Sequence, residues 1–208
     1  MYVPWHGQRA LGSRRPRVSA FSFEAFLELS SAELSPSSRY FVLVGEMTAG
    51  LFGHSDPFVA SAATTALSDV GLNLGAHSIA EVELARLLKE RIPSRDQIRF
   101  CNSGTEANLY ALSVARAWTR KRKVIAFEGG YLGGVLGFAH GVGENTVDPG
   151  DWIVGRFKDV AGLLKLLDDN EDVAGIIVEA MQGAGGCLPA SMAFLARIHQ
   201  LATEVCIL

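Results

Sequence analysis

Apolar residues along this chain recur at two spacings, one typical of helices and the other typical of buried strands. Apolar positions three and four residues apart predict helices at Phe23–Leu29, Phe58–Ser68, Ile79–Arg91, Glu106–Trp118, Val160–Leu167 and Met192–Thr203. Short apolar or β-branched runs predict strands at Tyr40–Val44, Ile98–Cys101, Val124–Phe127, Trp152–Gly155 and Val173–Glu179. Strands that alternate with helices predict an α/β fold, an αβα sandwich around a mostly parallel sheet.

The most informative segment of the chain is residues 98–134. A predicted strand leads into the turn Asn102–Thr105 and then into a helix, so free backbone N–H groups and two hydroxyls lie at the positive end of the helix dipole. A second predicted strand is followed by a glycine-rich loop with one aromatic residue, Tyr131. Because consecutive parallel strands are usually neighbours, we expect the turn and the loop to lie close together. The pattern favours a phosphorylated aromatic cofactor.

An ordinary turn is the alternative interpretation of the same residues. Ser103 or Thr105 can act as a helix N-cap without binding any ligand, and many α/β proteins contain such a turn. Motifs this short also occur by chance, so their spacing alone leaves both interpretations open.

Several segments in the same order resemble the class III aminotransferases, which are fold-type I enzymes dependent on pyridoxal phosphate (PLP). Within that family, the segments are most similar to glutamate-1-semialdehyde 2,1-aminomutase and its relatives. The segments are GLFGHSDP from Gly50, NLGAHSIAEVEL from Asn73, NSGTEAN from Asn102, FEGGY from Phe127 and GIIVEAMQGAGGCLP from Gly175. The likeness extends over residues 41–204.

The resemblance implies a role for five residues of this chain. Ser103, Gly104 and Thr105 would hold the cofactor phosphate, and Tyr131 would stack on the pyridine ring. Glu179, at the end of its strand, would lie near the cofactor behind the residues that touch it. It also implies a small amino or carbonyl compound as substrate and a homodimer in the complete family member. No metal is implied.

The chain departs from the family pattern at its far end. The lysine that forms the Schiff base with PLP, and the aspartate that pairs with the pyridine nitrogen, are expected beyond Leu208. We therefore assign no catalytic residue within the 208 residues. Leu132 replaces a histidine of the family pattern, and Ala180 replaces a proline. Ala184 stands where several ω-aminotransferases have a glutamate, which favours the aminomutase-like branch.

These observations predict a C-terminally truncated family member. Residues 1–40 would form a tail or arm, partly disordered, and residues 41–208 would form part of the PLP-binding large domain. Its last strands and the small domain would be missing. The chain alone would then be inactive in amino-group transfer. The alternative is a non-catalytic remnant that dimerises with a complete paralogue. A nicotinamide-dependent Rossmann enzyme is disfavoured because no G-x-G-x-x-G follows the first strand.

Composition narrows the class of protein further. Hydrophobic residues make up 49%, charged residues 20%, and the net charge is −3, which argues against a nucleic-acid surface. No apolar run reaches membrane-spanning length. Three cysteines without paired spacing predict buried free thiols and a reducing compartment. We expect a cytoplasmic protein, with a mitochondrial location as the alternative because the N-terminus is arginine-rich and lacks acids before Glu24.

Overall fold

The computed structural model describes residues 47, 49–72, 75–94, 96–138, 145 and 147–208. The chain divides into two compact units, residues 1–74 and 75–208. In the first unit, helix α1 spans Pro57–Asp69 and begins behind Asp56, whose side chain accepts a hydrogen bond from the Val59 N–H at 2.9 Å. No residue of α1 is buried.

The second unit contains the remaining helices and strands. In chain order they are α2 (Ile79–Arg91), α3 (Gly104–Thr119), β1 (Lys123–Phe127), a 3-10 turn (Pro149–Asp151), β2 (Trp152–Gly155), α4 (Val160–Asp168), β3 (Val173–Ile176), β4 (Met181–Gln182), β5 (Leu188–Pro189) and α5 (Met192–Glu204). Capping serines or aspartates start the helices, because their oxygens accept N–H groups that have no partner within the helix.

A parallel three-stranded sheet in the order β2-β1-β3 forms the centre of this unit. Strands β4 and β5 form a separate antiparallel pair. The residues after α5 reach the free edge of β3, where the Leu208 N–H donates to the Ala174 carbonyl at 3.3 Å and the Leu208 carbonyl accepts from Ile176 at 2.8 Å. That bonding pattern is the one made by parallel neighbours, so the chain starts to pair with β3 there.

Side chains of β1 alternate between two apolar layers. Ile125 and Phe127 pack with residues of α4 and α5, among them Leu163 and Phe194. Val124 and Ala126 face the opposite layer, where the buried neighbours are Leu112 of α3 and the residues Leu132, Leu136, Phe138 and Trp152. Helices on both faces of a parallel sheet make a three-layer αβα arrangement, which confirms the predicted fold class.

Charged residues connect the amino ends of the strands. Asp151 is largely buried and accepts from Arg122 Nε at 2.8 Å and from Arg116 Nη2 at 3.3 Å. Arg116 also pairs with Asp148 at 3.1 Å, and the Arg122 N–H donates to Asp172 Oδ1 at 3.1 Å. The hydrogen bonds to Asp151 raise the pKa of Arg122 above its ordinary value. This network therefore links α3, the start of β2 and the turn before β3.

Most predicted elements in the described ranges are present, with ends shifted by two residues or fewer. The predicted strand over Val173–Glu179 is an exception in length, because pairing ends at Ile176. The strand predicted at Ile98–Cys101 is wrong. This segment pairs with no strand in the described part of the chain, and the Arg99 guanidinium lies 4.7 Å from the Tyr110 ring centre of α3. The predicted elements Phe23–Leu29 and Tyr40–Val44 lie outside the described residues.

The prediction of three buried thiols is also wrong. All three cysteines are free, but Cys187 and Cys206 are exposed and only Cys101 is partly buried. Both exposed cysteines lie in turns, which place their short side chains outside the apolar layers. Among the described residues, no helix combines the length and the apolar character needed to cross a bilayer.

We expect Asp151→Asn to lower the free energy of unfolding by about 1–3 kcal/mol, because two arginines lose a buried charged acceptor. Urea denaturation followed by circular dichroism measures this change. The matched control is Asp168→Asn at the exposed end of α4, where no ion pair forms within the described residues. Equal unfolding midpoints for the two variants would contradict the role given to Asp151.

Candidate functional site

The amino end of α3 offers backbone donors to an open space. Ser103 is the N-cap, and its Oγ accepts from the Glu106 N–H at 3.1 Å. The N–H groups of Gly104 and Thr105 have no acceptor among the described residues. A Cβ placed on Gly104 would meet no atom within 4 Å, so nothing of the described chain fills the space at this position. Such a terminus favours an anion.

The loop after β1 folds back on itself through main-chain hydrogen bonds. Gly129 donates to the Phe138 carbonyl and Phe138 donates to that of Gly130, each at 2.9 Å. Leu132 is buried in the layer beneath the sheet, whereas the Tyr131 side chain is about half exposed at 53%. The ring of Tyr131 makes no ring contact with any described residue. The loop therefore presents a free aromatic ring on a fixed backbone.

Three contacts join this loop to the start of α3. The Gly134 N–H donates to Thr105 Oγ1 at 3.0 Å, and Asn108 Nδ2 donates to the Leu132 carbonyl at 2.6 Å. The backbone of Gly133 lies so close to Thr105 that a Cβ at Gly133 would come within 2.3 Å of Thr105 Oγ1. The start of α3 and the loop that carries Tyr131 are thus packed against each other as one substructure.

Glu179, just after β3, holds the loop from the other side. Its Oε1 accepts from the Tyr131 N–H at 2.8 Å, and its Oε2 accepts from the Gly183 N–H at 3.3 Å. Gln182, which is buried, donates from Nε2 to the Glu128 carbonyl at 2.9 Å. Both side chains therefore connect the segment that follows β3 to the loop that follows β1, at the carboxyl ends of the sheet where ligands of α/β proteins bind.

The chain matches a known protein family and several of its members. The sequence model described as "Aminotransferase class-III" matches residues 34–146, more than half of the chain. The chain belongs to the class III aminotransferase family. Beta-phenylalanine transaminase of Variovorax paradoxus is 43% identical over 168 residues, and the match covers 80% of this chain and 38% of the transaminase.

Two further comparisons place this family member among its relatives. A crystal structure of a beta-phenylalanine aminotransferase from V. paradoxus superposes with a TM-score of 0.73 at 41% identity, covering 79% of this chain and 38% of that one. Glutamate-1-semialdehyde 2,1-aminomutase of Chloroherpeton thalassium is 33% identical over 178 residues, covering 79% of this chain and 41% of the enzyme. The chain spans about two fifths of the length of these relatives.

The class III family depends on PLP, and the residues present fit that group. Ser103 Oγ and Thr105 Oγ1 each accept one hydrogen bond inside the protein, so each hydroxyl hydrogen is still available to a phosphate. Together with the free N–H groups of Gly104 and Thr105 they form a set of anion donors. Tyr131 provides a half-exposed aromatic ring on the loop that packs against this set.

The structure brings four of the five predicted residues into one site and connects the fifth to it. Ser103, Gly104 and Thr105 lie at the start of α3, and Tyr131 lies on the loop that contacts them. Glu179 contacts Tyr131 through the main chain. Their predicted roles toward the cofactor stay predictions. The reason given for their proximity was wrong, because Ile98–Cys101 does not form a neighbouring strand.

Sequence reasoning missed Gly133, Gly134 and Asn108, which make the contacts between the loop and α3. A signal was present in the two glycine pairs that flank Tyr131, since paired glycines mark close backbone approach. Leu132, noted only as a departure from the family pattern, is a buried core residue. Within the described residues, no group of three or more histidine, cysteine or acidic side chains could bind a metal ion.

We expect Gly133→Ala to separate the aromatic loop from α3. The new Cβ would lie within 2.8 Å of three atoms of Thr105, and the φ of +126° disfavours any residue except glycine. Gly134→Ala is the matched control, because a Cβ there meets nothing within 4 Å. Urea denaturation should show a loss of about 1–3 kcal/mol for Gly133→Ala and little change for the control. Equal stability of both variants would show that the contact between the Gly133 backbone and Thr105 has room for a methyl group.

Proposed function

We propose that this chain binds PLP and forms the cofactor-binding part of a class III enzyme that transfers an amino group on a small amino or carbonyl compound. The observation that carries the proposal is the junction of Thr105 with the Tyr131 loop, which places anion donors next to a free aromatic ring. The family depends on PLP, and the relatives named above are a transaminase and an aminomutase.

Each site residue has a distinct task in this proposal. The start of α3 binds the phosphate through the N–H groups of Gly104 and Thr105 and the hydroxyls of Ser103 and Thr105. The Tyr131 ring stacks on the pyridine ring. Glu179 acts as a positioning residue, because both of its oxygens already accept main-chain N–H groups. When bound, PLP supplies an electron sink for a carbanion on the substrate.

No described lysine contacts these site residues through a hydrogen bond or ion pair. Lys121 and Lys123 lie at the amino end of β1, the end opposite the Tyr131 loop, and Lys123 Nζ donates to Asn170 Oδ1 at 3.0 Å. Lys89 and Lys165 lie on α2 and α4. Lys158 follows β2, and its ammonium lies 5.5 Å from the centre of the Phe157 ring. We therefore propose that these 208 residues alone hold the cofactor without completing amino-group transfer.

Association with a second protein chain is the other candidate function, as a homodimer or as a complex with a complete paralogue. It is favoured by the surface of α1, which buries no residue and exposes Phe58 at 83%, Val59 at 53% and Leu67 at 57%. Phe58 and Val59 are adjacent in the first turn of α1, and contiguous exposed apolar surface is typical of interaction sites. Sedimentation velocity of the chain alone and mixed with a complete paralogue distinguishes the two assemblies from a monomer.

We expect PLP to bind saturably and to compete with inorganic phosphate. Tyr131→Leu should weaken PLP about tenfold and leave phosphate binding unchanged, because only the stacking is lost. Ser103→Ala should weaken both ligands, since a phosphate donor is removed. Equilibrium dialysis measures both affinities, with Ser113→Ala on the exposed face of α3 as the control. Equal affinities of all variants would refute the assigned site.

We expect no amino-group transfer by the chain when PLP, an amino donor and a keto acid are supplied together. The physical reason is that no described lysine forms a hydrogen bond or ion pair with the residues assigned to PLP. Product formation followed by chromatography provides the measurement, and the V. paradoxus transaminase serves as the positive control. Turnover by the chain above the PLP-only background would contradict this prediction.

A further inference from the structure

A second opening lies beside the cofactor site, at the carboxyl ends of β1 and β2. It is a cavity of about 330 Å³ open to solvent, and its lining includes Glu128, Arg156, Phe157, Lys158, Gln182 and Gly185. It contains none of the residues assigned to PLP. The buried Gln182 fixes one wall, because its Nε2 is bonded to the Glu128 carbonyl.

The two cationic side chains of this cavity have no acidic partner in the described part of the chain. Neither Arg156 nor Lys158 forms an ion pair or side-chain hydrogen bond with any described residue. The Lys158 ammonium lies 5.5 Å from the ring centre of Phe157, which also lines the cavity. By contrast, Arg116 and Arg122 at the other end of the sheet are both paired with aspartates.

Acidic groups near the cavity do not cancel this charge. Glu128 is the one carboxylate in the lining, so the two cations leave a net positive charge. Asp159 follows Lys158 in sequence, but its Oδ1 accepts from the Gly162 N–H at 2.9 Å and caps α4. The lining that the structure describes therefore carries a net positive charge.

The backbone at Lys158 is unusual for a lysine. The Asp159 N–H donates to the Arg156 carbonyl at 3.3 Å, which closes a turn with Lys158 at its third position and a φ of +68°. Glycine or asparagine normally occupies that position, because other side chains are strained there. The Phe157 and Lys158 N–H groups also have no acceptor in the described part of the chain. Lys158 forms no ion pair with a described residue that would compensate for this backbone strain.

We propose that this cavity binds the oxyanion group, carboxylate or phosphate, of a small molecule. Arg156 is suited to bind two oxygens of one such group through its planar guanidinium, and Lys158, in the same lining, adds a second positive charge. The free N–H groups of the turn provide further donors. This site does not depend on PLP binding, and it is tested without the cofactor.

Nuclear magnetic resonance of the ¹⁵N-labelled chain tests the proposal directly. Inorganic phosphate and succinate are titrated separately at constant ionic strength, and the amide signals of Phe157, Lys158 and Gly185 are followed. We expect saturable shifts of these signals with at least one of the two anions. Tighter binding of succinate would identify a carboxylate ligand, and tighter binding of phosphate would identify a phosphate ligand.

Lys158→Asn separates ligand binding from folding, because asparagine is favoured at the strained turn position and removes the charge. We expect about tenfold weaker anion binding with an unchanged or higher Tm. Arg156→Gln should weaken binding as well. Lys165→Gln, an exposed lysine on α4, is the control and should bind like the unaltered chain. Non-saturable shifts, or equal affinities for Lys158→Asn and Lys165→Gln, would overturn the proposal.

Discussion

The close approach of Gly133 to Thr105 is the constraint on which the candidate site depends. It fixes the distance between the start of α3 and the loop after β1, so the two parts of the site form one packed unit. The Gly134 bond to Thr105 Oγ1 and the Asn108 bond to the Leu132 carbonyl tie the same two segments together. Since a side chain larger than hydrogen cannot fit at Gly133 without displacing Thr105, the position of the loop relative to the start of α3 follows from backbone sterics.

The two ends of the parallel sheet serve different purposes. At the amino ends of the strands, Asp151 forms ion pairs with Arg116 and Arg122, and these pairs connect α3 to the start of β2. At the carboxyl ends, Ser103 and Thr105 keep hydroxyl hydrogens free, and Arg156 and Lys158 are unpaired among the described residues. Open donors and free charges thus collect at the end of an α/β sheet where ligands bind.

Local sequence signals were sufficient for the helices and for the central strands. Apolar positions at helical spacing predicted α2 and α4 almost to the residue, and the structure adds the capping side chains of Ser78 and Asp159 at their starts. The strand predicted at Ile98–Cys101 was wrong because local signals carry no information about strand pairing. An alternating segment becomes a strand only when a neighbouring strand offers hydrogen bonds. The candidate site residues were predicted from their chemistry and from the family resemblance, and their roles stay predictions. The Gly133 contact with Thr105 depends on tertiary packing and could not be derived from spacing.

Tyr131 is attached to the rest of the molecule through its main chain. Its N–H donates to Glu179, and its backbone pairs with Gly137, while the ring itself makes no ring contact with a described residue. The identity of the ring is therefore separable from the conformation of the loop. A different side chain at position 131 would therefore change the ring that the loop presents, while the main-chain bonds that hold the loop do not involve that side chain.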